Sequence, residues 1–318
     1  MRHLKTCGLG VWMMAVLGLA TSGYAGDIVI LKSSEQLFYT QAVEGFRSSV
    51  SRQTSLKEVI VDSADVDPSA LGRRVRGSNP DLVFAVGLKA ALLAKVELPD
   101  SPVVFCLVLN PEAHGLPADN MVGIATRLSP EAQLTAIRNL APAARRIGLL
   151  YGDPRSDSFI AEAQTQVARM GLELAVAKMA GAYEMPERAR GLIASIDLLW
   201  LIQDPTVISE ESLAFLLQTS MDAAIPVFGF SSATAQQGAL GALFVDPRRI
   251  GEQAGRLARD LLRGQRHRFR LLASPDRPQL AVNLNTAEYL GLPVDSAVIR
   301  TASVLFGGPG ATAQHRNR

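Results

Sequence analysis

Cysteine is nearly absent. The sequence has two in 318 residues, and only Cys106 lies beyond the apolar N-terminal stretch. A disulfide framework is therefore excluded, and the chain must rely on its hydrophobic cores. Histidine is almost as scarce. His114, His267 and His315 are the only ones after His3, and they are too far apart to show metal-ligand spacing. Neither sign of charge dominates, with 32 basic and 30 acidic residues and no block of like charge, which argues against a nucleic-acid partner. The sequence contains no G-x-G-x-x-G and no P-loop. Nor does it contain the roughly 20-residue apolar run that a membrane-spanning helix needs.

What is present is apolar material, 48% of the chain, enough for two domains of roughly 100–150 residues each. Residues 1–25 read as an export signal. Arg2, His3 and Lys5 make a basic start, Leu9–Ala20 an apolar middle, and Ser22-Gly23-Tyr24-Ala25 ends in the small residues a signal peptidase needs, so cleavage is expected after Ala25. Loss of Arg2 and Lys5 leaves 30 residues of each sign. Cys106, inside the apolar run Val103–Leu109, reads as a buried inert thiol.

One unit sets the pattern of the mature chain. In Ile147–Leu174 the run IGLLY suits a buried strand and GDPRSDS a turn. Phe159, Ala163, Val167 and Met170 recur at helical spacing, and Gly171 can close the helix in a left-handed conformation. Asp27–Arg52 repeats this grammar with IVIL, then KSSEQ, then Phe38, Ala42, Phe46 and Val50. Strands are expected at 57–62, 81–86, 103–109, 121–125, 172–177, 196–202, 225–230, 239–245 and 279–284, with helices between them. Near-continuous apolar strands alternating with helices predict parallel sheets covered on both faces. Ser129-Pro130 and Asp246-Pro247 read as helix starts, and Asn285 with Glu288 as a capping box.

The pieces FYTQAVEGFRSSV (38–50), DLVFAVGLKA (81–90), NMVGIA (120–125), RRIGLLYGDPRSDS (145–158), IPVFGFSSATAQQGAL (225–240), IGEQAGRLARDLLRG (250–264) and LAVNLNTAEYLGL (280–292) resemble, in their order and spacing, the periplasmic substrate-binding proteins of ABC transporters with the type I binding-protein fold. The branch they most resemble includes tryptophan- and phenylalanine-binding members. Where that family usually has Asp-Pro after the fourth strand, this chain has Asn110-Pro111. The resemblance implies two Rossmann-like α/β lobes joined by three crossings: residues 26–125 with 246–280, and residues 126–245 with 281–306, followed by a disordered tail at 307–318. It implies a small ligand, an amino acid or related polar solute, closed between the lobes of a periplasmic monomer and passed to an ABC permease in the inner membrane. It implies no cofactor, no metal and no catalysis. A sensor of the same fold, signalling to a membrane-bound receptor, is the alternative.

In open parallel sheets ligands bind beyond the carboxyl ends of the strands. That rule nominates Ser33, Ser34, Glu35, Gly87, Leu88, Lys89 and Asn110 in the first lobe. In the second it nominates Tyr151, Asp153, Ser156, Ser158, Gln203, Asp204, Ser231 and Ser232, with Asp246 near a crossing. Backbone N–H groups after Ser33, Gly87 and Asp157 can hold an anion, and Glu35, Asp153 or Asp204 a ligand ammonium. The same residue types also cap helices and make turns, which needs no ligand at all. Tyr39 is the better aromatic contact, because Phe38 and Trp200 sit in core patterns. Gly229-Phe230-Ser231-Ser232-Ala233 approaches a nucleophile elbow but lacks its final glycine, and only His267 follows before the tail.

Overall fold

A computed structural model describes residues 26–50, 54–62, 67–265, 271–308 and 314–315. The expected export signal, His267 and most of the tail after Gly308 lie outside the described residues.

The first lobe begins with β1 (Asp27–Lys32), α1 (Leu37–Ser49), β2 (Ser55–Ile60), α2 (Pro68–Gly77), β3 (Leu82–Val86), α3 (Leu88–Glu97), β4 (Val103–Cys106) and β5 (Met121–Ile124). All five strands are parallel. The second lobe continues with α4 (Pro130–Leu140), β6 (Arg146–Tyr151), α5 (Asp157–Arg169), β7 (Glu173–Lys178), α6 (Met185–Ile193), β8 (Leu198–Trp200), α7 (Glu210–Asp222), β9 (Val227–Gly229), α8 (Ser232–Gln236) and β10 (Gly241–Phe244). The chain then returns to the first lobe through α9 (Pro247–Leu262) and β11 (Leu272–Ala273). It ends in the second with β12 (Gln279–Asn283), α10 (Leu284–Tyr289), α11 (Ser296–Thr301), β13 (Val304–Phe306) and β14 (Gln314–His315). The strand orders are β11-β5-β4-β3-β1-β2 and β14-β13-β12-β10-β9-β8-β6-β7.

Strand alternation sends side chains to two layers in each lobe. Ile28 and Ile30 of β1 face a core shared with α1 and α9, while Val29 and Leu31 face one shared with α2 and α3. Likewise Leu149 of β6 packs towards α4 and α5, and Leu150 towards α6 and α7. Both faces are thus covered, which is why these strands read as unbroken apolar runs. Phe46 stacks on Phe84 with ring centroids 4.0 Å apart. Trp200 is fully buried, and its indole N–H donates to Gln133 Oε1 at 2.9 Å. Cys106 is buried as expected, and burial pushes its thiol well above the usual range.

The first lobe closes only when α9 arrives. Helices α1 and α9 approach so closely that a Cβ on Gly251 would lie 1.9 Å from the Ala42 carbonyl oxygen, and one on Gly45 equally near that of Arg248. The crossings run through residues 125–129, 245–246 and 274–278. Asp246 caps α9 through a 2.8 Å bond from Arg248 N–H, and Pro247 takes the first helical position.

Several local expectations are corrected. The strand expected at 103–109 stops at Cys106, because Leu107 turns left-handed at φ 56°. The cap of α10 is Asn283, whose side chain accepts from Thr286 N–H at 3.1 Å; Asn285 lies inside the helix. The second sheet is not wholly parallel, since β12 runs antiparallel to β10 and β14 to β13. Pairing through β12 groups Gln279 and Leu280 with the second sheet. Gln314 and His315, in the segment expected to be disordered, form β14.

Candidate functional site

Two of the three crossings, 125–129 and 245–246, border one cavity of about 510 Å³, and the first residue after the third lines it as well. Gln41 of α1 reaches it from the first lobe. Thr126, Arg127 and Leu128 come from the first crossing, Val245 and Asp246 from the second, and Gln279 is the first residue of β12, just after the third. The second lobe adds Gln203 after β8, Phe230, Ser231 and Ser232 after β9, and the segment Arg300–Ser303 ahead of β13. The antiparallel turn of β12 brings its start, and that of the parallel β13, to the end of the sheet where β10 finishes. The lining is rich in amides, hydroxyls and guanidinium groups. Phe230 and Phe244 are its two aromatic rings.

Of the residues nominated from sequence, Gln203, Ser231, Ser232 and Asp246 line this cavity. Ser231 caps α8: its hydroxyl accepts from Thr234 N–H at 3.1 Å and shares a 2.7 Å hydrogen bond with the Thr234 hydroxyl. Asp246 accepts from Arg248 N–H at one oxygen and from Gln279 Nε2, at 3.5 Å, at the other.

The other nominees lie elsewhere, in separate groups. Behind the cavity, Asp204 is completely buried. It accepts from the Ser156 hydroxyl at 2.9 Å, from Asp153 N–H at 3.2 Å and from Thr206 N–H at 3.0 Å. The Asp153 carboxylate binds the Arg155 guanidinium at 2.6 Å, and hydrogen bonds from Arg155 hold it below the usual carboxylate range. Tyr151 lies beside Lys178, whose ammonium is 5.2 Å from the ring centroid, and beside Asp157; burial raises its phenol first, and the Asp157 bond adds to this. Ser158 is exposed on the first turn of α5.

In the first lobe, Ser33, Tyr39 and Gly87 meet. The Ser33 hydroxyl accepts from Ala90 N–H at 3.0 Å, and Gly87 sits at φ 86°, where a Cβ would lie 2.6 Å from both Ser33 Oγ and the Tyr39 ring. Ser34 is half-buried beside them, and Leu88 packs on the core under α3. Glu35 pairs with the buried Lys32 at 2.7 Å, and Lys89 with Asp62 at 2.7 Å. Asn110 takes a left-handed conformation at φ 46° before a short 3-10 turn.

Sequence reasoning passed over Arg127. The strand-end rule applies to it, since it follows β5 by three residues, but in sequence the segment reads only as a connection between lobes. Its guanidinium carbon lies 5.0 Å from the Phe159 ring centroid, and its Nε and Nη2 are buried with no hydrogen-bond partner. Burial pulls this guanidinium down, and the carboxylates of Asp204, Asp153 and Glu112 partly restore it. A buried donor left without an acceptor costs roughly 1–3 kcal/mol, more when charged.

Residues 42–305 match the family described as ABC transporter substrate binding protein. The chain belongs to that family. It is 24% identical over 225 residues to a tyrosine-binding protein of Clostridioides difficile strain R20291; the match spans 68% of this chain and 65% of that protein. Among solved structures it is similar to the ligand-free, open form of a Clostridium difficile substrate-binding protein with adhesive properties, at TM-score 0.70 and 20% identity, covering 86% of this chain and 97% of that one. It is also similar to a Streptococcus pneumonia protein in complex with L-Trp, at TM-score 0.62 and 16% identity, covering 89% and 100%. At these identities the structural likeness shows the fold, that of the type I periplasmic binding proteins with two α/β lobes. This family member therefore has the architecture that its strand and helix pattern predicted.

Proposed function

We propose that this chain captures a small polar solute in the cleft between its lobes, closes on it, and delivers it to an ABC permease. The carrying observation is the cavity of about 510 Å³ lined by residues of both lobes and of the crossings at 125–129 and 245–246. A rotation about those crossings changes the cleft and moves the lobes together, so a ligand that bonds to both lobes shifts an open–closed equilibrium. The tyrosine and L-Trp named for the relatives make amino acids the first solutes to test. Binding is non-covalent: Ser231 is spent as a helix cap and needs no catalytic role. The protein acts as a monomer in the periplasm after cleavage behind Ala25.

A thermal-shift screen of residues 26–318 against amino acids, nucleosides, sugars and small anions tests the reading. A ligand at 100 times its dissociation constant adds about 2.7 kcal/mol of stability, which moves the midpoint by several degrees. Small-angle scattering with that ligand should then show a smaller radius of gyration. An unchanged radius at saturation refutes closure.

A further inference from the structure

We infer that Arg127 is the anion-docking residue of the cleft, and that its ligand is a small organic carboxylate for which an α-ammonium group is dispensable. This rests on the reading of the cavity as a solute site and narrows the class of solute.

Two observations carry it. The first is the edge of Arg127 that lacks partners. Nε and Nη2 are the two nitrogens along one side of a guanidinium, the side that takes a carboxylate in two parallel hydrogen bonds. Both are buried without an acceptor. Of the carboxylates that act on it, Asp204 is committed to Ser156, Asp153 N–H and Thr206, and Asp153 to Arg155, while Glu112 lies exposed on the surface. The guanidinium is instead held over the Phe159 ring. The residue borders the cavity from the first crossing, and its open edge reaches a bound oxyanion only when the guanidinium turns off the Phe159 ring.

The second observation is the charge of the lining. Arg249 of the lining has a partner of its own; beside it, among the described residues, Arg127 and Arg300 stand against a single lining carboxylate, Asp246. Both oxygens of Asp246 already accept protein hydrogen bonds, from Arg248 and Gln279. A ligand ammonium would compete with those two bonds for the one lining carboxylate and would be repelled by Arg127 and Arg300, whereas a ligand carboxylate is attracted by both.

The test is isothermal calorimetry on the mature protein with matched probes. One series is 3-phenylpropanoate, phenylalanine, 3-phenylpropanamide and phenethylamine; the other is butanoate, 2-aminobutanoate, butanamide and butylamine. The carboxylates should bind at least as tightly as their amino acids, with amides and amines at least 10-fold weaker. Arg127→Gln should weaken carboxylate binding 10-fold or more, and Arg127→Lys should restore part of it. Circular dichroism and the melting midpoint establish that each variant folds, and Arg127→Lys carries the test if Arg127→Gln does not. Amide or amine binding equal to the carboxylate overturns the inference but leaves the solute-binding reading intact. So does a folded Arg127→Gln variant that changes only the midpoint, which would make Arg127 structural. Failure of every probe and every solute of the thermal screen overturns both.

Discussion

At the residue scale, Asp204 shows how a polar residue at a strand end can serve the scaffold. Its carboxylate gathers a hydroxyl and two backbone N–H groups from the turns after β6 and β8 while fully out of water. Removing it leaves buried donors unpaired. Asp204→Ala should therefore lower stability by roughly 1–3 kcal/mol or more, and Asp204→Asn by less, read as shifts in the urea midpoint. The same residue explains why nomination by position was too generous. Every strand-to-helix turn in a parallel sheet needs Ser, Asp, Asn or Gly to close it, so Ser33, Asp153 and Ser231 look alike in sequence whether they cap a helix or touch a solute. Arg127 had the opposite problem. Nothing in its neighbours Thr126 and Leu128 signals that its guanidinium is buried, because that depends on Phe159, which is distant in sequence and brought near by folding.

At the element scale, the α1–α9 contact is the tightest joint in the first lobe. Gly251 has no room for a side chain, since the nearest obstacle is backbone rather than a movable group. Gly251→Ala should force the helices apart and cost roughly 1–3 kcal/mol, despite the better helix propensity of alanine. An exposed control, Gly191→Ala in α6, has open space around the new Cβ and should stabilise or leave the midpoint unchanged. Elements with a strong local signal were legible in sequence. The β6–α5 unit has its buried run and its left-handed Gly171 at φ 66°, and α9 has its Asp-Pro start. Where local signal and tertiary geometry part, reading failed. Leu107, Val108 and Leu109 continue the apolar run of β4, but the chain turns away at Leu107 and leaves Leu109 exposed. The two-residue β11 has no pattern of its own and exists because β5 offers it an edge.

At the scale of the whole molecule, acid stability follows from carboxylates that the fold holds charged. Hydrogen bonds from Arg155 lower Asp153, and the Arg146 and Arg145 N–H groups lower Asp197. Burial pushes Glu58 up, but hydrogen bonds from Lys32 and Arg47 outweigh it and leave the group lowered. A carboxyl with a depressed folded pKa contributes stability that is fully present above its unfolded value, about 3.9 for Asp and 4.3 for Glu, and that disappears as pH falls through the folded value. Lys32 behaves oppositely. Burial pulls it down, the bonds to Glu35 and Glu58 raise it further, and its contribution fades only as pH climbs past about 10.4. Urea midpoints should thus be nearly flat from about pH 5 to 8 and fall below about pH 4. Asp197→Asn should flatten that acid limb. An undiminished limb in this variant would remove Asp197 from the account.

The threading of the chain also dictates the order in which the molecule can be completed. The face of the first sheet that holds Ile28, Ile30 and Phe84 is roofed partly by α9, which is made only after every strand from β6 to β10. A ribosome that has released residues 26–145 has produced a sheet with one side covered by α1 alone. No contiguous fragment consists of one finished lobe alone, so a truncation before Leu262 should yield a sticky, protease-sensitive product rather than a working half. The two halves are finished late and in succession, the first by α9 and β11 and the second by the strands from β12 onward.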